Sequence, residues 1–240
     1  MVNATVTLAG KRVVVVGGSS GIGFAVASIA QELGATLVIA SSQVEKVDAA
    51  IHRLPGATGA LLNMRDESSI ISFLKAQDPF DHLVMTAGEF DKRVFASTED
   101  IDLGFAREAL ELRFFGSLAL IKHGRSKLAA DGSITLTSGM LAHRPHKGSP
   151  YPTAVAGALE HLVRGFAVDL APQRINGVCP GLTRTEMIPQ ISAGITAATA
   201  GLPLARAATP VEAALAYIYL MLNGYVTGQV LPVDGGGLLV

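Results

Sequence analysis

The feature that most constrains the fold is a run of four valines that leads directly into a glycine-rich turn. Val13–Val16 form a continuous β-branched run, which is typical of a parallel strand buried on both faces. Gly17, Gly21 and Gly23 follow, and Ile22–Leu33 has helical spacing. Glycines let the backbone approach a pyrophosphate at a helix N-terminus, where unsatisfied N–H groups favour anions. The pattern predicts a dinucleotide-binding unit, although the Gly-x-x-x-Gly-x-Gly spacing also suits an ordinary tight connection.

The rest of the chain alternates strand-like and helix-like segments. Seven segments read as strands: Val13–Val16, Thr36–Ala40, Ala60–Leu62, His82–Thr86, Ser133–Thr137, Arg174–Val178 and Gln229–Val233. Helical patterns occupy Ile22–Leu33, Val44–Arg53, Ser68–Ala76, part of Asp100–Leu128, Thr153–Leu170 and Val211–Leu222. This order predicts an α/β fold with three layers, a doubly wound parallel sheet of about seven strands with helices on both faces. We expect a single domain over residues 1–240, in which 183–208 forms the substrate loop.

Composition narrows the partners and the setting. The 19 basic and 20 acidic residues give a net charge of −1 without a basic block, so we expect no nucleic acid. The longest apolar run, Ala213–Leu222, is about half of the ~20 residues that span a bilayer, so we expect no membrane segment. The single cysteine, Cys179, and an N-terminus unlike a signal peptide predict a cytoplasmic protein. No cysteine–histidine spacing indicates a metal. The mean hydropathy of +0.41 favours subunit contacts in a homodimer or homotetramer.

Several further motifs fall in one order along the chain. After the glycine turn come Thr86-Ala87-Gly88, Ser138, Tyr151 thirteen residues later, Pro180-Gly181, and Asp234-Gly235-Gly236 near the end. Together they resemble the short-chain dehydrogenase/reductase superfamily over essentially the whole chain. The resemblance implies a Rossmann fold that binds NAD or NADP at the carboxyl ends of the strands. It also implies hydride transfer between that cofactor and a small carbonyl or alcohol substrate.

The resemblance assigns the cofactor-binding residues one by one. It places Gly17, Ser19, Ser20, Ile22 and Gly23 at the pyrophosphate and ribose, Asn63 and Met64 at the adenine, Ala87 and Gly88 along the cofactor, Tyr151 beside the nicotinamide, and Pro180, Gly181, Leu182, Thr183 and Thr185 at the carboxamide. Ordinary turn chemistry is the alternative for each of them.

The end of the second strand bears on the choice of cofactor. An acidic residue there accepts hydrogen bonds from the ribose 2′-OH and repels a 2′-phosphate. This chain has Ser41 and Ser42, with no acid until Glu45. The hydroxyls can donate to a phosphate, so we expect NADP to be favoured over NAD.

The resemblance also implies a catalytic pair. Tyr151 is expected to be the acid that protonates the alkoxide, and Ser138 to polarise the carbonyl. In the family a lysine stands four residues after the tyrosine and lowers its pKa, but Val155 occupies that position here. A point charge ~4–6 Å from a phenolate lowers its pKa by one to three units. Without a substitute cation, the reaction is expected to be slowed by orders of magnitude.

Arg113 is the candidate substitute. It aligns with a family asparagine that lies next to the lysine, and its side chain is long enough to reach the volume beside Val155. A surface arginine is the alternative. Met85 and Thr86 depart from the family in the same region, where two asparagines are usual.

The loop between Ser138 and Tyr151 carries the basic residues His143, Arg144, His146 and Lys147. A solvated loop is one interpretation; contact with an anionic substrate, or supply of the missing charge, is the other. The sequence leaves three hypotheses: an NADP-preferring oxidoreductase, a nucleotide-binding sensor or scaffold without turnover, and a non-redox dehydratase or isomerase.

Overall fold

The computed structural model describes residues 6–88, 91–186 and 192–240. The strands are β1 (Arg12–Val16), β2 (Thr36–Ser41), β3 (Thr58–Leu61), β4 (Phe80–Met85), β5 (Leu128–Thr137), β6 (Arg174–Pro180) and β7 (Val230–Val233). The α-helices are α1 (Gly21–Glu32), α2 (Val44–Arg53), α3 (Glu67–Lys75), α4 (Leu103–Leu110), α5 (Gly116–Gly124), α6 (Pro150–Asp169), α7 (Ser192–Thr199) and α8 (Pro210–Leu222). A π-helical segment, Glu111–Phe115, joins α4 to α5.

All seven strands pair in parallel in one sheet, in the order β3-β2-β1-β4-β5-β6-β7. The predicted fold class is therefore confirmed. The strand order reverses between β1 and β4, and ligands of such sheets bind in the crevice beyond the carboxyl ends at this switch point. The glycine turn lies at that point, directly after β1.

The valine run of β1 supplies both halves of the core. Val13 and Val15 pack into a cluster with residues of α1 and α8 on one face. Val14 and Val16 pack into a second cluster with residues of α5 and α6 on the other. Successive side chains of a strand point to opposite faces, so a strand covered on both sides must be apolar at every position.

Local sequence signals fix several helix ends. The Asp66 side chain accepts a hydrogen bond from the Ser68 amide and caps α3, and Asp102 does the same for α4. Helix α8 begins with a capping box between Thr209 and Glu212. No helix among the described residues is long and apolar enough to cross a membrane.

Some boundaries differ from the sequence predictions. Helix α6 starts at Pro150 rather than Thr153, because proline is pre-organised for the first helical turn. Strand β5 starts at Leu128 rather than Ser133, with an irregular register opposite β4. In the segment 183–208, which has no clear periodicity, α7 forms mostly from small residues, with Ile195 as its one large apolar side chain. Residues 187–191 of this predicted substrate loop lie outside the described residues.

Candidate active site

The glycine turn is packed too closely for side chains at two positions. Gly17 has φ +85°, and a Cβ atom there would lie 2.5 Å from the Ala87 backbone nitrogen. A Cβ atom at Gly23 would collide with the Gly17 carbonyl and the Thr86 hydroxyl. The Thr86 hydroxyl donates to the Val16 and Gly17 carbonyl oxygens, which ties β4 to the turn. At Gly88, by contrast, a Cβ atom would meet open space.

The first turn of α1 binds an anionic group of the chain itself. The Gly21 amide donates to Glu186 Oε2 at 3.1 Å. The first four amides of a helix have no partner within the helix, and the macrodipole favours negative charge there. Ser19 and Ser20 are half-buried beside this end, and within the described chain the Ser20 side chain makes no capping bond. This turn therefore has the backbone approach and the donors that a pyrophosphate requires.

The residues assigned to the adenosine half lie at the ends of β2 and β3. Ser41 is half-buried and Ser42 is exposed, as is Glu45 in the first turn of α2. Asn63 is exposed, and its side chain accepts a hydrogen bond from the Arg65 amide. Met64 is a core residue that packs against Gly116, so any contact of its side chain with adenine would require it to leave the core.

The segment after β6 crosses to the glycine turn. The Gly181 amide donates to the Val233 carbonyl oxygen at 2.9 Å, and the Thr183 hydroxyl donates to the Gly181 carbonyl oxygen. Thr183 forms a bridge with Ala208, while the Thr185 methyl group lies 3.1 Å from the position of a Cβ atom at Gly21. The glycine turn is therefore adjacent to the segment Pro180–Thr185, which is also assigned to the cofactor.

Ser138 follows β5 directly and is buried, and its hydroxyl faces a carboxylate. Ser138 Oγ donates to Glu160 Oε1 at 2.9 Å. His143 Nε2 lies 2.8 Å from Glu160 Oε2 and 3.0 Å from Oε1. Sequence analysis missed Glu160. Its position in the sequence does indicate burial. Glu160 lies four residues after Ala156 and three before Val163, residues at these spacings share a helix face, and both neighbours are buried.

The structure does not join Ser138 to Tyr151 by a hydrogen bond. Tyr151 lies nine residues before Glu160 in α6, about 13 Å along the helix axis. Its ring packs edge-on against Phe105 of α4, with ring centroids 6.3 Å apart. The described residues offer its hydroxyl no hydrogen-bond partner. Burial raises the pKa of Tyr151 and the Arg113 cation lowers it, with burial the larger effect.

Arg113 anchors at the carboxyl end of β5. Its guanidinium donates to the Thr137 carbonyl oxygen at 3.0 Å and to that of Ser138 at 3.4 Å. Burial lowers the pKa of Arg113, and the nearby Tyr217 and Tyr151 oppose that shift. Its Nε atom is buried and has no hydrogen-bond partner among the described residues. Arg113 therefore turns inward, towards Ser138 and Tyr151, rather than out to solvent as a surface arginine would.

Val155 and Cys179 are both buried apolar or neutral residues of the interior. Val155 is 4% exposed and packs in the interior. Cys179 lies next to Ser138 and Glu160, and burial raises the pKa of its thiol to about 11. The ligand atoms of His143, Glu160 and Cys179 lie within 4.8 Å of one another. Sequence spacing does not reveal this cluster, because its members come from a loop, a helix and a strand.

Of the basic loop residues, His143 alone bonds to Glu160 in the described structure. Arg144, His146 and Lys147 are exposed. The His146 ring stacks on Phe95 at 5.8 Å. The loop is thus neither wholly solvated nor wholly turned towards the site.

Comparisons with known proteins agree with this fold. The family profile described as enoyl-(acyl carrier protein) reductase matches residues 16–237. The short-chain dehydrogenase/reductase ATR9 of Stachybotrys chlorohalonatus is 32% identical, and the alignment covers 97% of this chain and 99% of ATR9. The structure of the MalC reductase/Diels-Alderase from Malbranchea aurantiaca superposes with a TM-score of 0.90 at 30% identity, over 98% of both chains. A small-chain dehydrogenase solved in complex with NADPH superposes with a TM-score of 0.83 at 30% identity, over 96% of this chain and 99% of that one.

The parallel sheet, the glycine turn at its switch point and these similarities place the chain in one family. It belongs to the short-chain dehydrogenase/reductase family of oxidoreductases. The relatives support a nicotinamide cofactor.

Proposed function

We propose that this protein is an NADP(H)-dependent reductase that interconverts a small carbonyl compound and its alcohol. The observation that carries the proposal is the position of Ser138 and Arg113 at the end of β5, in the same crevice as the glycine turn after β1. When bound there, the cofactor supplies or accepts a hydride. The small-molecule partner follows from the family.

The glycine turn and the segment after β6 are proposed to hold the cofactor. The α1 amides and the hydroxyls of Ser19 and Ser20 would bind the pyrophosphate and ribose, and Thr183 and Thr185 the carboxamide. The hydrogen bond from the Gly21 amide to the Glu186 carboxylate supports this, since the N-terminus of a helix favours anionic groups. Ser41 and Ser42 support a preference for NADP, because neither repels a 2′-phosphate. Calorimetric titration with NADPH and NADH tests the preference; equal or inverted affinities contradict it.

Three residues are proposed to act on the substrate oxygen. Ser138 polarises the carbonyl, Tyr151 gives the proton to the alkoxide, and Arg113 supplies the positive charge that Val155 does not. The raised pKa of Tyr151 keeps the phenol protonated at neutral pH, which suits a donor in the reductive direction. Binding of substrate must bring the hydroxyls of Ser138 and Tyr151 to one oxygen, since they are not hydrogen-bonded to each other.

Turnover of NADPH with a panel of aldehydes and ketones tests the proposal. We expect substrate-dependent oxidation of NADPH, and Tyr151→Phe should lower kcat by ~10²–10⁴-fold, the usual contribution of a positioned acid. Tyr225→Phe is the matched control, because Tyr225 is fully exposed and distant from these residues in sequence. Tight NADPH binding without turnover of any carbonyl would instead favour the sensor or scaffold hypothesis.

A homodimer or homotetramer is proposed from exposed apolar surface. Val168 of α6 is 83% exposed, and the positions of a Cβ atom at Gly157 and Gly165 on the same helix meet open space. Small and apolar residues on an exposed helix face allow a second helix to approach closely. Light scattering at micromolar concentration should give at least twice the monomer mass of 24.8 kDa; a monomer mass contradicts the proposal. The cytoplasmic location stays a prediction from sequence.

A further inference from the structure

A continuous set of hydrogen bonds leads from Ser138 to the protein surface. The Glu160 carboxylate lies between the Ser138 hydroxyl, at 2.9 Å, and the His143 imidazole, at 2.8 Å. The Glu160 side chain is 3% exposed, whereas that of His143 is 39% exposed. The chain of bonds therefore starts at a buried hydroxyl of the active site and ends at a ring that solvent reaches.

Packing alone does not account for a carboxylate at position 160. Burial of an isolated charge is costly, and an apolar residue on this stripe of α6 would avoid the cost. The structure instead gives each Glu160 oxygen a polar partner, with Ser138 on Oε1 and His143 on both. The arrangement satisfies the carboxylate and links two groups that exchange protons.

We propose that Ser138, Glu160 and His143 form a proton relay, which carries the proton consumed in each carbonyl reduction from solvent to the substrate oxygen. The relay rests on the proposed function and names the route by which its proton arrives. Reduction takes up one proton per turnover, so a tyrosine that has given its proton must be recharged. The buried valine at position 155 cannot pass a proton on.

Each step of the relay moves one proton and leaves the heavy atoms bonded as before. Once Tyr151 has protonated the alkoxide, the product hydroxyl returns a proton to the tyrosinate as it takes the proton of Ser138. The Nε2 proton of the His143 imidazolium passes to Glu160 Oε1, which both His143 and Ser138 contact. The Ser138 oxygen then takes that proton, which leaves Glu160 a carboxylate, as it was at the start. His143 regains a proton from solvent. Alcohol oxidation runs the same transfers in reverse.

A metal site is the competing interpretation of the same residues. Cysteine, histidine and carboxylate ligands suit Zn²⁺, and Cys179 Sγ lies within 4.8 Å of the other two ligand atoms. However, His143 and Glu160 bond to each other directly, and Glu160 Oε1 also accepts the hydrogen bond from Ser138. These observations favour the relay, with Cys179 as a neutral neighbour.

Replacement of His143 gives the sharpest test, because this residue is at the surface end of the relay. In the NADPH-dependent reduction, we expect His143→Ala to lower kcat by about tenfold with KM and NADPH affinity unchanged. Imidazole added to the buffer should restore the rate, since it can protonate Glu160 from the vacated position. Glu160→Gln should lower kcat by ~10²-fold, within the range of general acid–base catalysis, and imidazole should not rescue it. His161→Ala is the matched control, because His161 is exposed and bonds within α6.

The outcomes separate the relay from the function on which it rests. Absence of turnover in the unchanged protein overturns the proposed reductase and the relay with it. Turnover that survives His143→Ala, or that falls without rescue by imidazole, overturns the relay alone, and thermal melting of each variant shows that the fold is kept. One zinc ion per chain, lost together with activity in Cys179→Ala, would establish the metal site instead.

Discussion

Replacement of Arg113 by alanine is expected to damage both stability and the pH dependence of turnover. The guanidinium donates to the carbonyl oxygens of Thr137 and Ser138 at 3.0 and 3.4 Å. Hydrogen bonds from a charged donor contribute ~1.5–3 kcal/mol each, and the second is long, so we expect a loss of ~2–3 kcal/mol in the free energy of unfolding. For a chain of 240 residues this corresponds to a fall of ~4–12 °C in Tm.

The effect on turnover follows from the charge. The Arg113 cation lowers the pKa of Tyr151, although burial outweighs it and the net pKa is raised. Removal of the cation therefore raises the pKa of Tyr151 further. Alcohol oxidation needs the tyrosinate, so its rise with pH should move to higher pH, and the rate at a fixed pH should fall about tenfold for each unit that the profile moves. Carbonyl reduction needs the neutral phenol, so the pH at which its rate begins to decline should also move to a higher value.

Steady-state rates from pH 6 to 10 in both directions provide the assay. Arg113→Lys keeps the charge but loses the planar fork, so its profile should resemble that of the unchanged protein while its Tm falls. Arg107→Ala is the control for net charge, because Arg107 is exposed on α4 and donates within its own helix to Leu103. A pH profile of Arg113→Ala identical to that of the unchanged protein refutes the electrostatic role.

Combined substitutions at positions 113 and 155 also test the electrostatic role of Arg113. Val155→Lys alone should help little, because it sets a second cation near Arg113 in the interior. The double change Arg113→Asn with Val155→Lys should recover activity relative to Arg113→Ala. If Val155→Lys alone raises kcat more than the double change, Arg113 is not the substitute cation.

Two further predictions concern the cofactor turn. Gly23→Ala should lower NADPH affinity and Tm together, because its Cβ would meet the Gly17 carbonyl and the Thr86 hydroxyl. Gly224→Ala, where a Cβ meets open space, is the control, and an NADPH titration that Gly23→Ala leaves unchanged would contradict the prediction. Glu186→Gln should tighten NADPH binding several-fold at low salt, since it removes an anion at the Gly21 amide where the pyrophosphate is proposed to bind, and two charges ~4 Å apart in water interact by ~1 kcal/mol. The gain should shrink as salt is added, and looser binding would show that Glu186 supports the cofactor site instead.

Local pattern was sufficient to predict the layers of the fold. Four consecutive β-branched residues predicted burial on both faces, and the glycine pattern predicted a close approach of the backbone, which Thr86 and Ala87 make directly after β4. The residue pattern that predicts these features lies within a short stretch of chain, although Thr86 and Ala87, which approach the glycines, are distant in sequence. The boundaries of β3 and β5 and the helix α7 did not follow, because small residues have weak periodicity and tertiary pairing sets where a strand begins.

The partners of the candidate catalytic residues depended on the tertiary structure. Ser138 and Glu160 are separated by 22 residues, and their contact requires β5, the following loop and α6 to pack in one particular register. The same packing places the Tyr151 ring against Phe105. Tyr151 lies nine residues before Glu160, whose carboxylate accepts the hydrogen bond from Ser138. Arg113 was recognisable in sequence as a replaced residue, but its inward direction comes from the carbonyl groups at the end of β5. Sequence determined which chemical groups are present, and packing across the sheet decided which of them meet, because side-chain contact falls off within a few ångströms while the chain separates these residues by several turns of helix.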